Sequence, residues 1–546
     1  MSKRFLALLL VVVLGFTLAA CASKGLDKDA EGEITIMTYN GDGQTYEDFG
    51  HAEIDPLEIT NQNVGLLYAV AKEFNVHYPN IKINVHFKQG DSYNNTTKET
   101  WDQYRSNFEQ QTGDKVDIWS VTDLAADTTR GLVSDLSVFA EYDSYKEFNP
   151  QLLGLLNYYG VQAALPEYLI PWGIYVNRDL AEEKNIDVPD PDWTIEEYTE
   201  FITNSVPNEY YGSENPHWRI MFTGATTMGQ QLLKQGVGGD YINVNSDEVR
   251  AIVPYFAQWA EHALWPTGAS WSTGATTDEF YSSGSWWQHN FFKQGKMLTN
   301  ADDPWMLGDA ANPFTSDLMK NDVDWDYYPR PSTSGVDNTV GFVLDPIAVR
   351  NYAMDDNNAE LSEEEFKNLE IAYTFAHFWT ADTRSWEARS RQQYNNGTSL
   401  QPVLNDGLPV IIGDEYDKQM EYWYSVPTHA YWKNKEKTPG FQMILDIFKD
   451  GILTDTADKA YPWTFDNNGS RDVIIKEIWG YDDPKVLSGD PEATSPRILD
   501  GVAATNAYLA RLPEWNIVWN ERFEQAFADL KEALKTYYQK SDADFE

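Results

Sequence analysis

Cysteine is almost absent from this sequence: its 546 residues include one, Cys21. A single thiol excludes a disulfide within the chain and provides no second cysteine for a thiolate metal site. The one cysteine follows Leu18-Ala19-Ala20, at the end of an apolar run. Its position is therefore more informative than its redox chemistry.

The first 20 residues have the composition of an export signal. A short positive segment precedes an apolar run over residues 5–18 that is short for a membrane span. The ending Leu-Ala-Ala-Cys resembles the lipobox of bacterial lipoproteins, which implies cleavage before Cys21 and acylation of its thiol. We expect a lipoprotein signal peptide over residues 1–20 and, because residues 22–33 are small and charged, a lipid-anchored tether over residues 21–33. An ordinary secretory signal that happens to contain a cysteine is the alternative.

Basic residues are also scarce. The chain has 41 Lys and Arg against 85 Asp and Glu, which gives a formal net charge of −44. No cluster of basic residues interrupts this acidity, so binding to nucleic acid or to anionic lipid headgroups is excluded. No second long apolar run follows the signal. We therefore expect a body held on the extracytoplasmic face of the cell membrane by its lipid alone, and its length predicts two or more domains.

Several catalytic and cofactor motifs are missing. The sequence has no His-Glu-x-x-His pair, no Gly-x-Ser-x-Gly elbow, no phosphate loop and no dinucleotide fingerprint. Residues 466–477 have oxygen-bearing side chains at the spacing of a calcium loop, but Arg471 stands where the sharp turn requires glycine. We predict no enzymatic activity, no cofactor and no metal, and leave a structural calcium at residues 466–477 as the alternative.

Aromatic residues, by contrast, are abundant. The chain has 20 Trp and 32 Tyr, many of them in polar, glycine-containing stretches. The apolar face of such a ring stacks on the C–H face of a sugar, while neighbouring carboxylates and amides bind its hydroxyl groups. Most rings are expected to be core residues, so composition selects none of them individually. It does favour a flat, polyhydroxylated ligand.

Apolar periodicity predicts an α/β protein. Alternation over residues 34–38 and 81–87 predicts two strands, and a helix between them completes a βαβ unit over residues 34–88 with a parallel sheet. Capping boxes at Thr194–Glu197 and Ser362–Glu365 predict two further helix starts. The apolar residues between 523 and 537 are spaced four, three, four and three apart, which predicts an amphipathic C-terminal helix that docks on the body.

Four local patterns, in order along the chain, resemble the family 1 extracellular solute-binding proteins that serve sugar ABC importers. They are Tyr39-Asn40-Gly41-Asp42, Val116-Asp117-Ile118-Trp119, Trp172 to Leu180 followed by Asp192-Trp193-Thr194, and Phe292 to Trp305. The resemblance covers residues 34–402 and is weak beyond them. The chain departs from the family pattern at Arg178, where a lysine is usual, and in the long loop after Asp42.

The resemblance implies a two-lobed α/β fold of the periplasmic-binding-protein type II, with a ligand cleft that closes by a hinge. Lobe 1 is expected over residues 34–170 and 340–395. Lobe 2 is expected over residues 171–339 and 396–546, and includes a C-terminal extension that is atypical of the family. The implied partners are a carbohydrate ligand and the membrane permease subunits of the importer, and we expect a monomer.

Ten residues are candidates for contact with this ligand. Trp305 is the expected stacking ring, since it occupies the family position after a proline-containing turn. Asp42 follows the first strand and can accept hydrogen bonds from two hydroxyls, or it can instead cap its own turn. The full set is Asn40, Asp42, Trp119, Asp123, Trp172, Trp287, Asp302, Asp303, Trp305 and Tyr394.

Three other functions stay open at this point. An oligopeptide-binding lipoprotein of an ABC transporter has a similar length. A surface glycoside hydrolase would use a pair of carboxylates such as Asp302 and Asp303, but adjacent residues usually point apart and do not face one scissile bond. A surface glycan-binding lipoprotein would hold polymer chains without closing. Oligosaccharide binding for import is the function that the sequence favours.

Overall fold

The computed structural model describes most of the chain beyond Gly25. The described residues are 25–94, 97–206, 209–213, 245–263, 292, 295–301, 307, 324–333, 337–354, 361–427, 429–450, 459 and 501–545.

Short and long strands are spread over the described residues up to Pro402. They are β1 Gly32–Gly41, β2 Thr45–Tyr46, β3 Ile81–Gln89, β4 Tyr93–Asn94, β5 Glu99–Thr100, β6 Ile118–Ser120, β7 Asn157–Tyr158, β8 Val161–Gln162, β9 Leu165–Trp172, β10 Ile174–Asn177, β11 Thr299–Asn300, β12 Trp325–Tyr328, β13 Gly341–Val349, β14 Gln393–Asn395 and β15 Leu400–Pro402.

Helices alternate with these strands and dominate the C-terminal part. They are α1 Gln62–His77, α2 Trp101–Thr112, α3 Leu124–Thr129, α4 Asp143–Glu147, α5 Pro150–Leu155, α6 Arg178–Lys184, α7 Ile195–Thr203, α8 Asp247–His262, α9 Glu363–Thr380, α10 Thr383–Arg391, α11 Asp414–Ser425, α12 Pro439–Asp450 and α13 Gly501–Tyr538. Short 3₁₀ turns lie at Leu136–Phe139, Tyr352–Met354, Ala430–Lys433 and Asp542–Phe545.

The predicted βαβ unit is confirmed. β1 and β3 are parallel and pair from Gly32↔Ile81 to Thr38↔Phe87. α1 connects them, and the Asn61 side chain caps its start by accepting backbone N–H bonds. Alternate residues of both strands are buried, as the period-two pattern requires. The α/β class predicted from periodicity therefore matches the structure.

The larger sheet has six strands in the order β2-β3-β1-β6-β13-β9. β6 is parallel to β1, whereas β13 is antiparallel to both β6 and β9. β13 is distant in sequence from the strands it separates, so the chain returns to this sheet after a long excursion. α9 packs against β1, β9 and β13 and covers one face.

A smaller sheet of three antiparallel strands has the order β11-β10-β12. Its core is aromatic: the rings of Tyr175 and Tyr327 stack 4.0 Å apart, and Trp325 and Trp432 meet edge to face at 4.9 Å. All four side chains are fully buried. A considerable part of the aromatic content therefore packs the protein interior.

Both predicted capping boxes are present. The Thr194 hydroxyl accepts from the Glu197 N–H at 3.2 Å, and the Glu197 carboxylate accepts from the Thr194 N–H at 2.7 Å. The same reciprocal pair joins Ser362 and Glu365. Each box removes unpaired N–H groups from a helix start, which fixes the starts of α7 and α9.

The predicted C-terminal amphipathic helix is the second half of α13. Its stripe Phe523, Phe527, Leu530 and Leu534 is buried, whereas Tyr537 at the end of the stripe is 38% exposed. The helix contacts α8, which packs on α7, and α3, which follows β6 of the larger sheet. It therefore docks on the body as predicted.

The two sheets are built from different parts of the chain. Strands from residues 32–172 and 341–349 build the larger sheet, and those from residues 174–177, 299–300 and 325–328 build the smaller one. The lobe limits themselves stay a prediction. Among the described helices, none combines the length and apolar character needed to cross a membrane.

Candidate functional site

The chain passes from the larger sheet to the smaller one at Gly173, between β9 and β10. The Tyr327 hydroxyl holds both sides of this crossing: it donates to the Pro171 carbonyl at 2.7 Å and accepts from the Gly173 N–H at 2.8 Å. A Cβ on residue 173 would lie 2.4 Å from the Tyr328 carbonyl oxygen, so the crossing requires glycine. We call residues 171–173 the hinge.

Trp172, one of the predicted ligand residues, lies in the hinge. Its side chain is partly exposed, and its indole N–H donates to the carbonyl of Ala301. Ala301 directly follows β11 and precedes the predicted ligand residues Asp302 and Asp303 in the sequence. Trp172 therefore ties the hinge to the chain segment that leads into these candidates.

One edge of the larger sheet has the geometry of a ligand site. The parallel strands β1 and β6 end there, and β9 runs from this edge directly into the hinge. β13 passes through the same edge. The Val121 N–H, just after β6, donates to the Pro346 carbonyl at 2.9 Å, and the neighbouring Asp345 is the strand partner of Tyr168 on β9. Ligands of open α/β sheets bind outside the carboxyl ends of the strands. We call this the carboxyl edge.

Asn40 and Asp42 lie at the carboxyl edge, at the end of β1. Asn40 is exposed and adopts the left-handed backbone conformation, with a φ of 59°. The Asp42 carboxylate accepts from the Gln44 N–H at 3.0 Å and from the Tyr46 hydroxyl at 2.6 Å. Burial, together with this bond to Asp42, raises the pKa of Tyr46. Asp42 therefore organises its own turn, while the Asn40 side chain faces solvent.

Trp119 lies on β6, and Asp123 directly precedes α3. Trp119 is 3% exposed; its indole N–H donates to the Asp127 carboxylate at 3.0 Å, and the Arg105 guanidinium covers its ring at 4.1 Å. Asp123 is half-buried and caps α3 by accepting from the Ala126 N–H at 2.8 Å. Desolvation raises the pKa of the Asp123 carboxyl. The structure places Asp123 at the carboxyl edge and buries the Trp119 side chain.

Tyr394 lies in the β14–β15 hairpin and is 3% exposed. The neighbouring Asn395 N–H donates to the Ile59 carbonyl at 2.7 Å, which holds the hairpin on the loop before α1. The Tyr394 Cβ also lies close to Gly65 in the first turn of that helix. This candidate therefore lies beside the start of α1.

Several predicted residues lie outside the part of the chain that the structure describes. They are Cys21 and the candidates Trp287, Asp302, Asp303 and Trp305. The calcium-loop pattern at residues 466–477 is also outside the described ranges. Within the described residues, no group of three or more His, Cys, Asp or Glu side chains is arranged to hold a metal ion.

The structure brings together a charged cluster that the sequence analysis missed. Asp345 on β13 forms an ion pair with Lys459, whose backbone carbonyl accepts from the Leu124 N–H at 2.8 Å. Glu167 on β9 lies beside this pair, and Arg389 of α10 is its second cationic neighbour. Because residues 167, 345, 389 and 459 are widely separated along the chain, no local motif could have revealed this cluster.

Burial shapes the electrostatics of this cluster. Desolvation, together with the neighbouring Asp345 carboxylate, raises the pKa of Glu167 to about 7, against the opposing effects of Arg389 and Lys459. Desolvation lowers the pKa of Arg389 to about 10. Arg389 is 3% exposed and lies over the Trp386 ring at 4.4 Å. The carboxyl edge thus carries a carboxyl group that changes charge near neutral pH.

Tyr39 is a further residue that the sequence analysis did not select. It precedes Asn40 at the end of β1, is half-buried, and meets the Trp101 ring edge to face at 5.3 Å. The Trp101 indole N–H donates to the Ser120 carbonyl at 2.7 Å, at the end of β6. The motif Tyr39-Asn40-Gly41-Asp42 was a signal for this ring. Tyr39 gives the carboxyl edge an aromatic surface.

No protein-family model and no curated protein matches the sequence. A solved structure of a proposed oligosaccharide periplasmic-binding protein from Synechococcus sp. MITs9220, in complex with zinc, matches with a TM-score of 0.50 at 12% identity. This alignment covers 90% of our chain and 100% of that protein.

Two further solved structures match with lower scores. An ABC substrate-binding protein from Listeria monocytogenes, in complex with cycloalternan, has a TM-score of 0.49 at 16% identity and covers 89% of our chain and 99% of its own. The cyclic α-maltosyl-1,6-maltose binding protein from Arthrobacter globiformis has a TM-score of 0.48 at 14% identity. This alignment covers 88% of our chain and 99% of that protein.

At 12% identity, the match to the Synechococcus structure shows the fold alone. The chain aligns over the full length of a periplasmic-binding-protein structure, and its two sheets are joined by the hinge. The fold that the sequence resemblance implied is therefore confirmed. This protein has the two-lobed α/β fold of periplasmic binding proteins.

Proposed function

We propose that this protein is the substrate-binding subunit of an ABC importer, that it is anchored by lipid at Cys21 on the extracytoplasmic face of the membrane, and that it binds an oligosaccharide. The observation that carries the proposal is the fold, in which a carboxyl edge with polar and aromatic side chains runs into the hinge. The matched Synechococcus structure is of a proposed oligosaccharide-binding protein, which supports the same ligand class.

Binding by closure fits this architecture energetically. To move a hinge equilibrium from 1:99 open to 99:1 closed, the ligand must favour the closed state by about 5.5 kcal/mol. A micromolar ligand supplies about 8 kcal/mol of binding free energy. Binding can therefore drive closure, with no bond made or broken, when most of this free energy comes from contacts made only in the closed state. We accordingly propose a binding protein rather than an enzyme.

The proposed ligand residues differ in accessibility. Asn40 is exposed at the carboxyl edge, and Asp42, Asp123 and Trp172 are partly exposed along it or at the hinge. Trp119 and Tyr394 are buried, so a ligand would reach their rings only after movement of the side chains around them. We therefore propose Asn40, Asp42, Asp123 and Trp172 as direct contacts, together with Trp287, Asp302, Asp303 and Trp305 of the sequence prediction.

The proposed anchor serves the same function. Tethering the protein to the membrane raises its effective concentration at the transporter and shortens the search for the permease subunits. Replacing Cys21 by Ser is expected to move the protein from the membrane fraction to the soluble fraction. Mass spectrometry of the wild-type N-terminus should detect an acylated Cys21; an unmodified thiol in a retained signal sequence would contradict the anchor.

A ligand panel tests the binding function. The purified full-length protein is heated with malto-, cello- and xylo-oligosaccharides of two to six units, and separately with peptides of two to six residues. Ligand at 100 times Kd stabilises the native state by about 2.7 kcal/mol, so a binding sugar raises Tm by a few degrees. Stabilisation by peptides alone would favour an oligopeptide binder, and release of new reducing ends from a sugar would indicate a hydrolase.

A further inference from the structure

The ion pair between Lys459 and Asp345 lies where the proposed cleft begins. On β13, Asp345 is the strand partner of Tyr168 on β9. Tyr168 lies five residues before the hinge residue Gly173. Lys459 is fixed at the same edge through its backbone, because its carbonyl accepts from the Leu124 N–H, directly after the candidate Asp123. Both partners of the pair are therefore positioned by main-chain contacts at the carboxyl edge.

The pair is partly open to solvent. The Lys459 side chain is 19% exposed and that of Asp345 is 22% exposed. Ion pairs in such settings add little net stability, because the desolvation of both charges offsets their attraction. Stability alone therefore gives a weak reason for this arrangement, whereas the carboxyl edge, where the pair lies, is the place at which open α/β sheets bind their ligands.

The chemistry of the pair matches a diol. The Asp345 carboxylate offers lone pairs that accept hydrogen bonds, and the Lys459 ammonium offers three N–H donors. Two adjacent hydroxyls of a sugar ring lie about one hydrogen-bond length apart, so one can donate to the carboxylate while the other accepts from the ammonium. Charge-assisted bonds of this kind are roughly twice as strong as neutral ones.

Resting on the proposed function, we infer that Asp345 and Lys459 form one polar subsite of the cleft, which binds two adjacent hydroxyl groups of a neutral carbohydrate. Lys459 comes from the part of the sequence in which the family resemblance is weak. The C-terminal region thereby contributes to ligand selection.

The test is a double-mutant cycle between protein and ligand. Titration calorimetry compares the full-length wild type with Lys459→Met and Asp345→Asn, using the oligosaccharide of the panel that binds most tightly and its monodeoxy analogues. The subsite predicts at least tenfold weaker binding for each variant. It also predicts that one deoxy analogue binds the wild type more weakly than the parent sugar does. Lys459→Met should then cause no further loss of affinity for that analogue.

Controls separate a subsite from a structural role. Lys72→Met removes an exposed ion pair elsewhere in the protein, with Glu53 at 2.9 Å, and should leave the affinity unchanged. Lys459→Arg keeps the charge and should recover most of the affinity. Equal weakening of every analogue by Lys459→Met would overturn the subsite and leave the proposed function intact. A wild type that binds no sugar of the panel would overturn the proposed function and the subsite with it.

Discussion

At the residue scale, Glu167 illustrates how the fold changes the chemistry of a side chain. In sequence it is one of many acidic residues in a very acidic chain. In the structure, desolvation and the nearby Asp345 carboxylate favour its protonated form and raise its pKa to about 7. Charge counting along the sequence cannot reveal this, because the shift depends on residues from four distant parts of the chain.

The pKa of Glu167 predicts a pH dependence of stability. The folded value of about 7 exceeds the unfolded value of 4.5, so between these values the folded state holds the proton more tightly. Below pH 4.5 this group therefore stabilises the folded state by up to about 3 kcal/mol, and this stabilisation is lost as the pH rises through 7. Urea unfolding at a series of pH values from 4.5 to 8 measures this change in the free energy of unfolding.

The matched variant is Glu167→Gln, which remains neutral throughout this range. The difference in the free energy of unfolding between variant and wild type should increase in favour of the variant as the pH rises. Glu196→Gln, which changes a carboxylate that accepts from the Tyr255 hydroxyl near the surface, is the control and should show a much smaller slope. A difference between Glu167→Gln and wild type that is constant with pH would contradict the assigned pKa.

At the scale of elements, Asp326 connects two parts of the chain that the sequence gives no reason to join. Its carboxylate accepts from the N–H groups of Gly440 at 2.8 Å and Phe441 at 3.2 Å, in the first turn of α12. Asp326 itself is fully buried on β12, and desolvation raises its pKa to about 6. A strand residue thus caps a helix more than a hundred positions later.

Replacing Asp326 by Ala should destabilise the protein by about 2–3 kcal/mol, because buried N–H groups at the start of α12 lose their acceptor. Asp324→Ala is the matched control. Its carboxylate is half exposed and pairs with Arg178 at 2.6 Å, so its loss should cost less than 1 kcal/mol. Chemical denaturation at pH 7.5 measures both. Equal losses for the two variants would show that the cap has no special role.

Elements with local signals were predictable from the sequence. The βαβ unit follows from period-two and helical spacing, and the helix starts at Thr194 and Ser362 follow from their capping boxes. β13 was not predicted as an antiparallel insertion between β6 and β9, since pairing partners so far apart leave no local pattern. The same reason explains why a local motif could select Asn40 and Asp42 as candidates, whereas no local motif could select Lys459.

At the scale of the whole molecule, the hinge relates the two sheets. Tyr327 lies on the smaller sheet, yet its hydroxyl bonds to both sides of the crossing that ends β9 of the larger one. These bonds fix the local path of the chain where the lobes must rotate if the protein closes. If the protein closes as proposed, the balance between open and closed states is expected to depend on Tyr327, which is fully buried.

Tyr327→Phe should lower the free energy of unfolding by about 1–2 kcal/mol, because the Gly173 N–H and the Pro171 carbonyl lose a buried partner. It should also change ligand affinity, since the hinge is then less constrained. Tyr255→Phe, which removes a hydroxyl bonded to Glu196 at 2.7 Å near the surface, should change neither. Calorimetry and denaturation together measure the effects; an unchanged affinity and stability for Tyr327→Phe would contradict the role of the hinge.

The central claim is that this protein closes on a carbohydrate, and small-angle X-ray scattering tests it most directly. Residues 22–546 are measured without ligand and with the most strongly stabilising oligosaccharide of the panel. The account predicts that ligand decreases the radius of gyration, as the two lobes rotate about residues 171–173. Saturating binding with an unchanged radius of gyration would contradict closure and indicate a surface that holds glycans without moving.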